Sequence, residues 1–308
     1  MAKRPEVEGH LTEQIALRSF AKINLGLQVV GKREDGFHEI RTVFQTVELH
    51  DRLQIRLVRG HEIEFESNHA ALHPVDNLVV KAITALNRFL RLKQGCRVQL
   101  EKRIPLGSGL GGGSSNAAAA ILGMKKLLNL DVPTRLLFEM GGLLGSDVCF
   151  FFVGGTALGV GRGAEVYPLT ERPEGYVLLI VPTASVSTKQ AYARVRLPLT
   201  KQSGKSMIPV FCSGYLDSLD GNKLLENDFE KVVFCDFPEL KRIKRELLRL
   251  GASGAGLTGS GSALFGLFES ELKLLKARDR VASDDFYFIE TKTLQRHQYW
   301  NCLVESLQ

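Results

Sequence analysis

The sequence is poor in the residues that build disulfide scaffolds and metal clusters. Its five cysteines, Cys96, Cys149, Cys212, Cys235 and Cys302, are an odd number, widely spaced, with no Cys-x-x-Cys and no His/Cys metal spacing. That excludes a disulfide framework or a zinc ribbon and reads as free, mostly buried thiols in a reducing compartment. Long apolar runs are missing too. The longest, Val148 to Val160, is interrupted by Gly154, Gly155 and Gly159, which is too short and too broken for a membrane span. The first fifteen residues are polar and charged, so no signal peptide is expected and the protein is expected in the cytoplasm. Charge of neither sign dominates. The net charge of +6 is spread out, and its densest runs, Arg88 to Arg97 and Lys241 to Arg249, alternate basic residues with leucines as solvated helix faces do. An aromatic and basic stripe of the nucleic-acid-binding kind is absent, as are internal repeats and low-complexity tracts.

What the chain does have is a glycine-rich stretch, Pro105 to Ala120. Five of its first nine residues are glycine, so the backbone can take positive φ and approach a ligand with no Cβ in the way. A strand pattern over Arg97 to Ile104 precedes it, and an alanine-rich helix follows, with Ser114 or Ser115 as N-cap. Such a loop ends at the positive pole of a helix, beside N–H groups that no intrahelical carbonyl satisfies, which is a phosphate cradle. It is not a Walker A loop: Gly112 is followed by Gly113 and Ser114, and the first lysine is Lys125. Gly107, Gly109 and Gly112 satisfy G-x-G-x-x-G, but the V-A-I-K, H-R-D and D-F-G companions of protein kinases are missing. A Rossmann reading wants a strand after the helix, whereas Pro133 to Leu144 reads as another helix with Pro133 at its first position.

Three further residues invite chemistry. Lys22 lies in an apolar strand pattern with Phe20, Ile23 and Leu25; it is either a strand-edge lysine facing water or a buried cation with an anionic partner. Asp147 stands between Gly145-Ser146 and the run Val148 to Phe152, as a turn cap or as a carboxylate pointed into a site. His38, after the turn Arg33 to Gly36, is either an exposed or capping residue or a reader of a polar ligand.

The chain is long enough for two domains. Strand patterns run from Ile15 to Val30, Phe37 to Leu49 and Leu53 to Val58, with His50-Asp51 between the last two. A helix is expected over Asn77 to Leu92 and a strand over Val148 to Val153. The composition changes near Glu171 to Gly175, dividing the chain into 1–172 and 173–308. Beyond it come a buried-type strand (Tyr176 to Val181), a helix starting near Ser185 to Thr188 and a polar loop (Lys201 to Met207). Helices over Asn227 to Phe234 and Pro238 to Leu250 follow, then two strands flanking Gly259-Ser260-Gly261, a helix over Glu271 to Val281 and a strand over Phe286 to Thr293. That order suits an α+β sandwich of the ferredoxin-like kind.

Taken in order, Ala21-Lys22-Ile-Asn-Leu25, the loop Pro105 to Ser115 with its Asn-Ala-Ala, Gly145-Ser-Asp147 and Leu257-Thr-Gly-Ser-Gly-Ser262 resemble the motifs of the GHMP small-molecule kinases. The likeness runs from about Phe20 to Phe268. It implies an α+β, two-domain GHMP kinase fold: an N-terminal ATP-binding domain like ribosomal protein S5 domain 2 and a C-terminal ferredoxin-like α/β sandwich. Arg33-Glu-Asp-Gly-Phe-His38, the triple glycine 111–113 and Glu226-Asn-Asp-Phe-Glu230 resemble the branch whose acceptor is a cytidine-diphosphate-linked methylerythritol, of the non-mevalonate isoprenoid route. The resemblance implies Asp147 as base and Lys22 as its electrostatic partner, with ATP and Mg²⁺ as cofactors and Ser115 as a possible metal ligand. Pro105, Leu106, Gly107, Ser108, Gly109, Leu110, Gly111, Gly112, Gly113, Ser114 and Ser115 would wrap the ATP phosphates. Asn24 would hold the acceptor end. His38 would meet the cytosine edge between Phe37 and Tyr192, with Thr188 nearby, and Gly259 and Gly261 would approach the substrate phosphates or the glycine loop. No nucleic-acid or membrane partner is implied, and the chain is expected as a monomer or homodimer.

Three positions depart from the family's pattern: Phe37 replaces a common Tyr, Cys149 a usual proline, and Gly161 to Glu165 carries one extra residue. Three rivals share parts of this pattern: a kinase for homoserine, mevalonate or a sugar, a non-catalytic ligand sensor on the same fold, and an RNA-binding module. An intact base and phosphate loop argue against the sensor.

Overall fold

The computed structural model describes residues 14–183, 194, 208–219 and 226–305. Two long antiparallel strands open it, β1 (Gln14–Lys32) and β2 (His38–Val58). The turn between them is closed by Arg33 N–H donating to Phe37 O (2.8 Å), with Gly36 at φ 84°. Where the sequence suggests a break at His50-Asp51, β2 runs through: the extra residues are absorbed by a register shift between Phe20 and Ala21. A bulge of this kind bends a strand without ending it.

The length of β2 lets it serve several partners. Besides β1, residues 40–45 pair with β5 (Thr156–Gly161) and residues 52–58 with β4 (Gly95–Glu101). β3 (Ile63–Ser67) joins β4 in parallel, and β6 (Glu165–Pro168) folds back on β5. Helices α1 (Leu78–Phe89), α2 (Gly112–Leu127) and α3 (Thr134–Leu144) bury their apolar faces with Leu17, Leu53, Ile55 and Val98 of this sheet. Small side chains bring α2 close: Ala117 to Ala120 are buried, and a Cβ on Gly123 would fall 2.8 Å from Leu17 Cδ1.

The second sheet has the order β10-β7-β9-β8, all antiparallel, from β7 (Tyr176–Pro182), β8 (Gly254–Leu257), β9 (Leu264–Phe268) and β10 (Phe286–Lys292). With α4 (Ile208–Leu219), α5 (Glu230–Asp236) and α6 (Pro238–Arg249) before β8 and α7 (Glu271–Val281) before β10, this is the ferredoxin-like arrangement. Sequence patterning marks no element at α4. Leu178 and Ile180 of β7 pack with α6 and α7, while Val177, Leu179 and Val181 pack with Ile23, Leu25, Val43 and Val47 of β1 and β2. The period of two thus buries both faces of β7 and joins the two sheets through one shared apolar layer.

After β10 the chain returns to the first sheet. α8 (Arg296–Cys302) starts at a capping box of Gln295 and Gln298, and Tyr299 is buried with its hydroxyl donating to Phe151 O (2.5 Å). Sequence patterning offered nothing for this helix. Tyr299→Ala is expected to cost about 3–5 kcal/mol through the cavity it leaves. A thermal melt that falls by less than a degree would show that α8 contributes no packing.

Candidate active site

Between β4 and α2 the chain passes Gly107, Gly109 and Gly111 at φ 65°, 82° and 72°. Gly109 has no substitute: a Cβ there would lie 2.4 Å from Thr258 O. The N-cap of α2 is Gly111, not Ser114 or Ser115, and it makes no side-chain cap. Its left-handed backbone starts the helix before the serines, and Ser115 N–H is the donor that reaches Gly111 O (2.9 Å). The N–H groups of Gly112, Gly113 and Ser114 therefore precede any intrahelical acceptor and point from the helix's positive pole. Ser108 closes the loop on itself, donating to Pro105 O (2.8 Å) while its own carbonyl accepts from Ala263 N–H (3.0 Å). Leu110 is buried beneath the loop and Leu106 is exposed at its rim.

Asp147 follows the end of α3, in the turn Gly145-Ser146-Asp147. The strand expected over Val148 to Val153 is instead a 3₁₀ turn, Cys149–Phe152. All four of its residues are buried, Phe150 against Phe44 (centroids 4.8 Å) and Phe152 against Phe138 (6.0 Å). A short run buried on every side carries no periodicity, so pattern alone could not separate the two conformations. Burial pushes the Cys149 thiol up to about 11, so it is an inert packing group at neutral pH.

The turn aims Asp147 at Lys22: Oδ2 stands 3.2 Å from Nζ. Lys22 is 2% exposed, and its Nζ also donates to Asn24 Oδ1 (2.6 Å) and Gly109 O (2.9 Å). An ammonium has three protons, and three acceptors surround this one. The partners are themselves fixed. Asn24 Nδ2 donates to Thr42 Oγ1 (2.7 Å), which donates to Gly26 O (2.7 Å). Thr258 Oγ1 accepts from Asn24 N–H (3.1 Å) and lies 3.2 Å from Asn24 Oδ1. Asn227 Nδ2 donates to Leu257 O and Gly259 O (2.8 and 2.9 Å), holding the 258–261 turn in place. Gly259 faces both Gly109 and Lys22; a Cβ on it would lie 3.2 Å from Gly109 O and 3.5 Å from Lys22 Nζ. Gly261 backs onto Val233 and Leu257.

So Lys22, Asn24, Asp147, the glycine loop and the 258–261 turn converge on one place. Thr42, Thr258 and Asn227 complete it and were missed by sequence reasoning, although Thr258 and Asn227 each sit inside a motif already singled out.

Phe37 and His38 lie at the start of β2. Phe37 is half exposed, under the Arg162 guanidinium (5.3 Å to the ring centroid), and Arg162 donates to Gly142 O. Gly163, in the same turn, faces Ile40 and Ser146, which links this aromatic corner to the neighbour of Asp147. Partial burial, with Lys32 adding to it, lowers the His38 pKa, so the ring is neutral at pH 7 and presents one donor and one acceptor nitrogen. Thr188 and Tyr192 lie outside the described residues. Among those described, no group of three His, Cys, Asp or Glu side chains could hold a metal ion, and no helix is long and apolar enough to cross a membrane.

Sequence models of the GHMP kinases N terminal domain and of the GHMP kinases C terminal region match residues 77–155 and 216–287. A 4-diphosphocytidyl-2-C-methyl-D-erythritol kinase of Solibacter usitatus is 42% identical over 93% of this chain and 92% of its own. The kinase of the same name from Geobacter sulfurreducens is 34% identical over 92% and 100%. A crystal structure of 4-(cytidine 5'-diphospho)-2C-methyl-D-erythritol kinase superposes with a TM-score of 0.76 at 32% identity, covering 91% of this chain and 99% of that one. A homoserine kinase from Cytophaga hutchinsonii shares the fold at a TM-score of 0.69 and 20% identity.

Proposed function

The chain belongs to the GHMP kinases, small-molecule kinases that use ATP, and we propose that it transfers the γ-phosphoryl to the 2-hydroxyl of 4-diphosphocytidyl-2-C-methyl-D-erythritol, in isopentenyl diphosphate synthesis. The observation that carries the chemistry is the Lys22–Asp147 pair, 3.2 Å apart beside a glycine loop that opens a helix. Phosphoryl transfer asks for positioning and charge neutralisation more than covalent chemistry. The amides at the start of α2 take the nucleotide phosphates, along with the rest of the loop from Pro105 to Ser115. Asp147 accepts the acceptor's hydroxyl proton, and Lys22, paired with it at 3.2 Å, keeps that carboxylate aimed. Asn24 helps orient the acceptor end.

The choice of acceptor rests on the relatives named above. It is supported by an exposed aromatic ring and a neutral imidazole at Phe37 and His38, which suit the face and edge of a cytosine; Thr188, Tyr192, Gly259 and Gly261 complete the proposed substrate contacts. The ATP-binding half is assigned to 1–172 and the second domain to 173–308, with the tail after Leu294 folded back on the first. Mg²⁺ fits as an ion carried by the nucleotide, since the donors near the loop are hydroxyls and one carboxylate; it would neutralise phosphate charge. Ser115, a possible ligand by the family resemblance, is 2% exposed.

The test is to offer the purified protein ATP with the cytidine compound, homoserine, mevalonate or galactose in parallel. ADP release is expected with the first alone. Turnover of another alcohol but not the cytidine compound overturns the choice of substrate.

A further inference from the structure

Against the phosphate loop lies a second buried charge pair, Lys102 and Asp51, that the mechanism does not use. Asp51, in β2, is fully buried and receives four hydrogen bonds. Its Oδ1 accepts from the N–H groups of Arg103 (2.7 Å) and Ile104 (2.8 Å). Its Oδ2 accepts from Lys102 Nζ (2.5 Å) and Asn116 Nδ2 (2.8 Å). Asn116 reaches on to Ser19 Oγ of β1 (2.6 Å).

These donors are not scattered. Lys102, Arg103 and Ile104 are the residues by which β4 leads into the glycine loop, and Asn116 stands in the first turns of the helix that leaves it. One carboxylate therefore grips both ends of the cradle and fastens them to the sheet. The same grip explains Gly112, where a Cβ would fall 2.7 Å from Lys102 Nζ and 3.0 Å from Ile104 Cγ2. The buried ammonium fills the space beneath the first helical residue. Burial lowers the Lys102 pKa while Asp51 opposes that shift; without the carboxylate the cation would stand uncompensated beside the helix's positive pole.

We propose that Asp51 is a positioning residue for ATP: it sets the glycine loop and the first turns of α2 in the geometry that receives the nucleotide phosphates. This rests on the reading of the loop as an ATP site. Every group facing the carboxylate is a donor, so asparagine cannot replace it. In either orientation its NH₂ points at two donors and leaves one pair without an acceptor.

The experiment measures ATP affinity directly by calorimetry, in the absence of acceptor, for the wild type, Asp51→Asn and Asn116→Ala, alongside KM for each substrate and a thermal melt. Asp51→Asn is expected to weaken ATP binding about tenfold or more, as loss of a preorganised site does, with the acceptor KM within about twofold. Asn116→Ala, which removes one donor and keeps the charges, is expected to show the same signature at about threefold. It carries the test if Asp51→Asn does not fold. ATP affinity unchanged in a folded variant, or equal losses for both substrates with a lowered melt, would overturn the proposal in favour of a structural role. A wild type that binds ATP yet phosphorylates nothing offered would instead overturn the substrate reading alone.

Discussion

Asp147→Asn is expected to lower kcat by about 10²–10⁴-fold, the range general-base groups contribute, while ATP binding changes by less than about threefold. The substitution keeps the size and shape of the side chain and removes its ability to take a proton. The cradle has holds that do not pass through it: Ser108, Thr258, the Ala263 amide and the Asp51 carboxylate fix the loop directly, and Lys22 keeps its own bond to Gly109 O. Because the carboxylate keeps 30% of its side-chain surface open, an acceptor can reach it. ADP release followed over varied ATP and varied acceptor separates the two effects. A kcat within about tenfold of wild type would mean that Asp147 orients without taking the proton.

The second large effect is expected at Lys22. Lys22→Met removes the ammonium and leaves Asn24 Oδ1, Gly109 O and Asp147 Oδ2 without their shared donor. Two consequences follow. Losing the donor to the buried Asn24 and Gly109 oxygens costs about 1–3 kcal/mol of stability, while the Asp147 carboxylate stays open to water. With Asp147 no longer held, kcat is expected to fall about 10²-fold or more, as it does when a catalytic group loses its geometry. Arginine is not expected to rescue either loss. A Cβ on Gly111 would already fall 3.0 Å from Lys22 Cε, so the pocket has no room for a planar guanidinium. A thermal melt and steady-state kinetics on both variants check this, and a Lys22→Arg protein with wild-type kcat would contradict it.

How much of this could be read beforehand depended on whether the signal was local. Lys22 stood out because a charged residue inside an apolar strand requires a partner, and the structure places Asp147 opposite it. The glycine loop was visible from composition, and β7 from a run of five apolar residues buried on both faces. What failed to show were features set by distant chain. Asp51 looked like a break between strands, because its four donors come from positions 51 to 65 residues further on. Pattern points to serine rather than Gly111 as N-cap, since a cap without a side chain leaves no sequence mark. The turn after Asp147 reads as a strand because Cys149 to Phe152 are buried all round. α8 had no pattern of its own, for only Tyr299 is deeply buried.

The central claim is that an acceptor hydroxyl, once bound, meets the Asp147 carboxylate at the mouth of the loop. A crystal structure of the ternary complex, with a non-hydrolysable ATP analogue and the cytidine substrate, tests it most directly. The account predicts the 2-hydroxyl within about 2.6–3.2 Å of an Asp147 oxygen and in line with the γ-phosphorus. A hydroxyl bonded elsewhere, with Asp147 beyond the reach of a single bridging water, would contradict it.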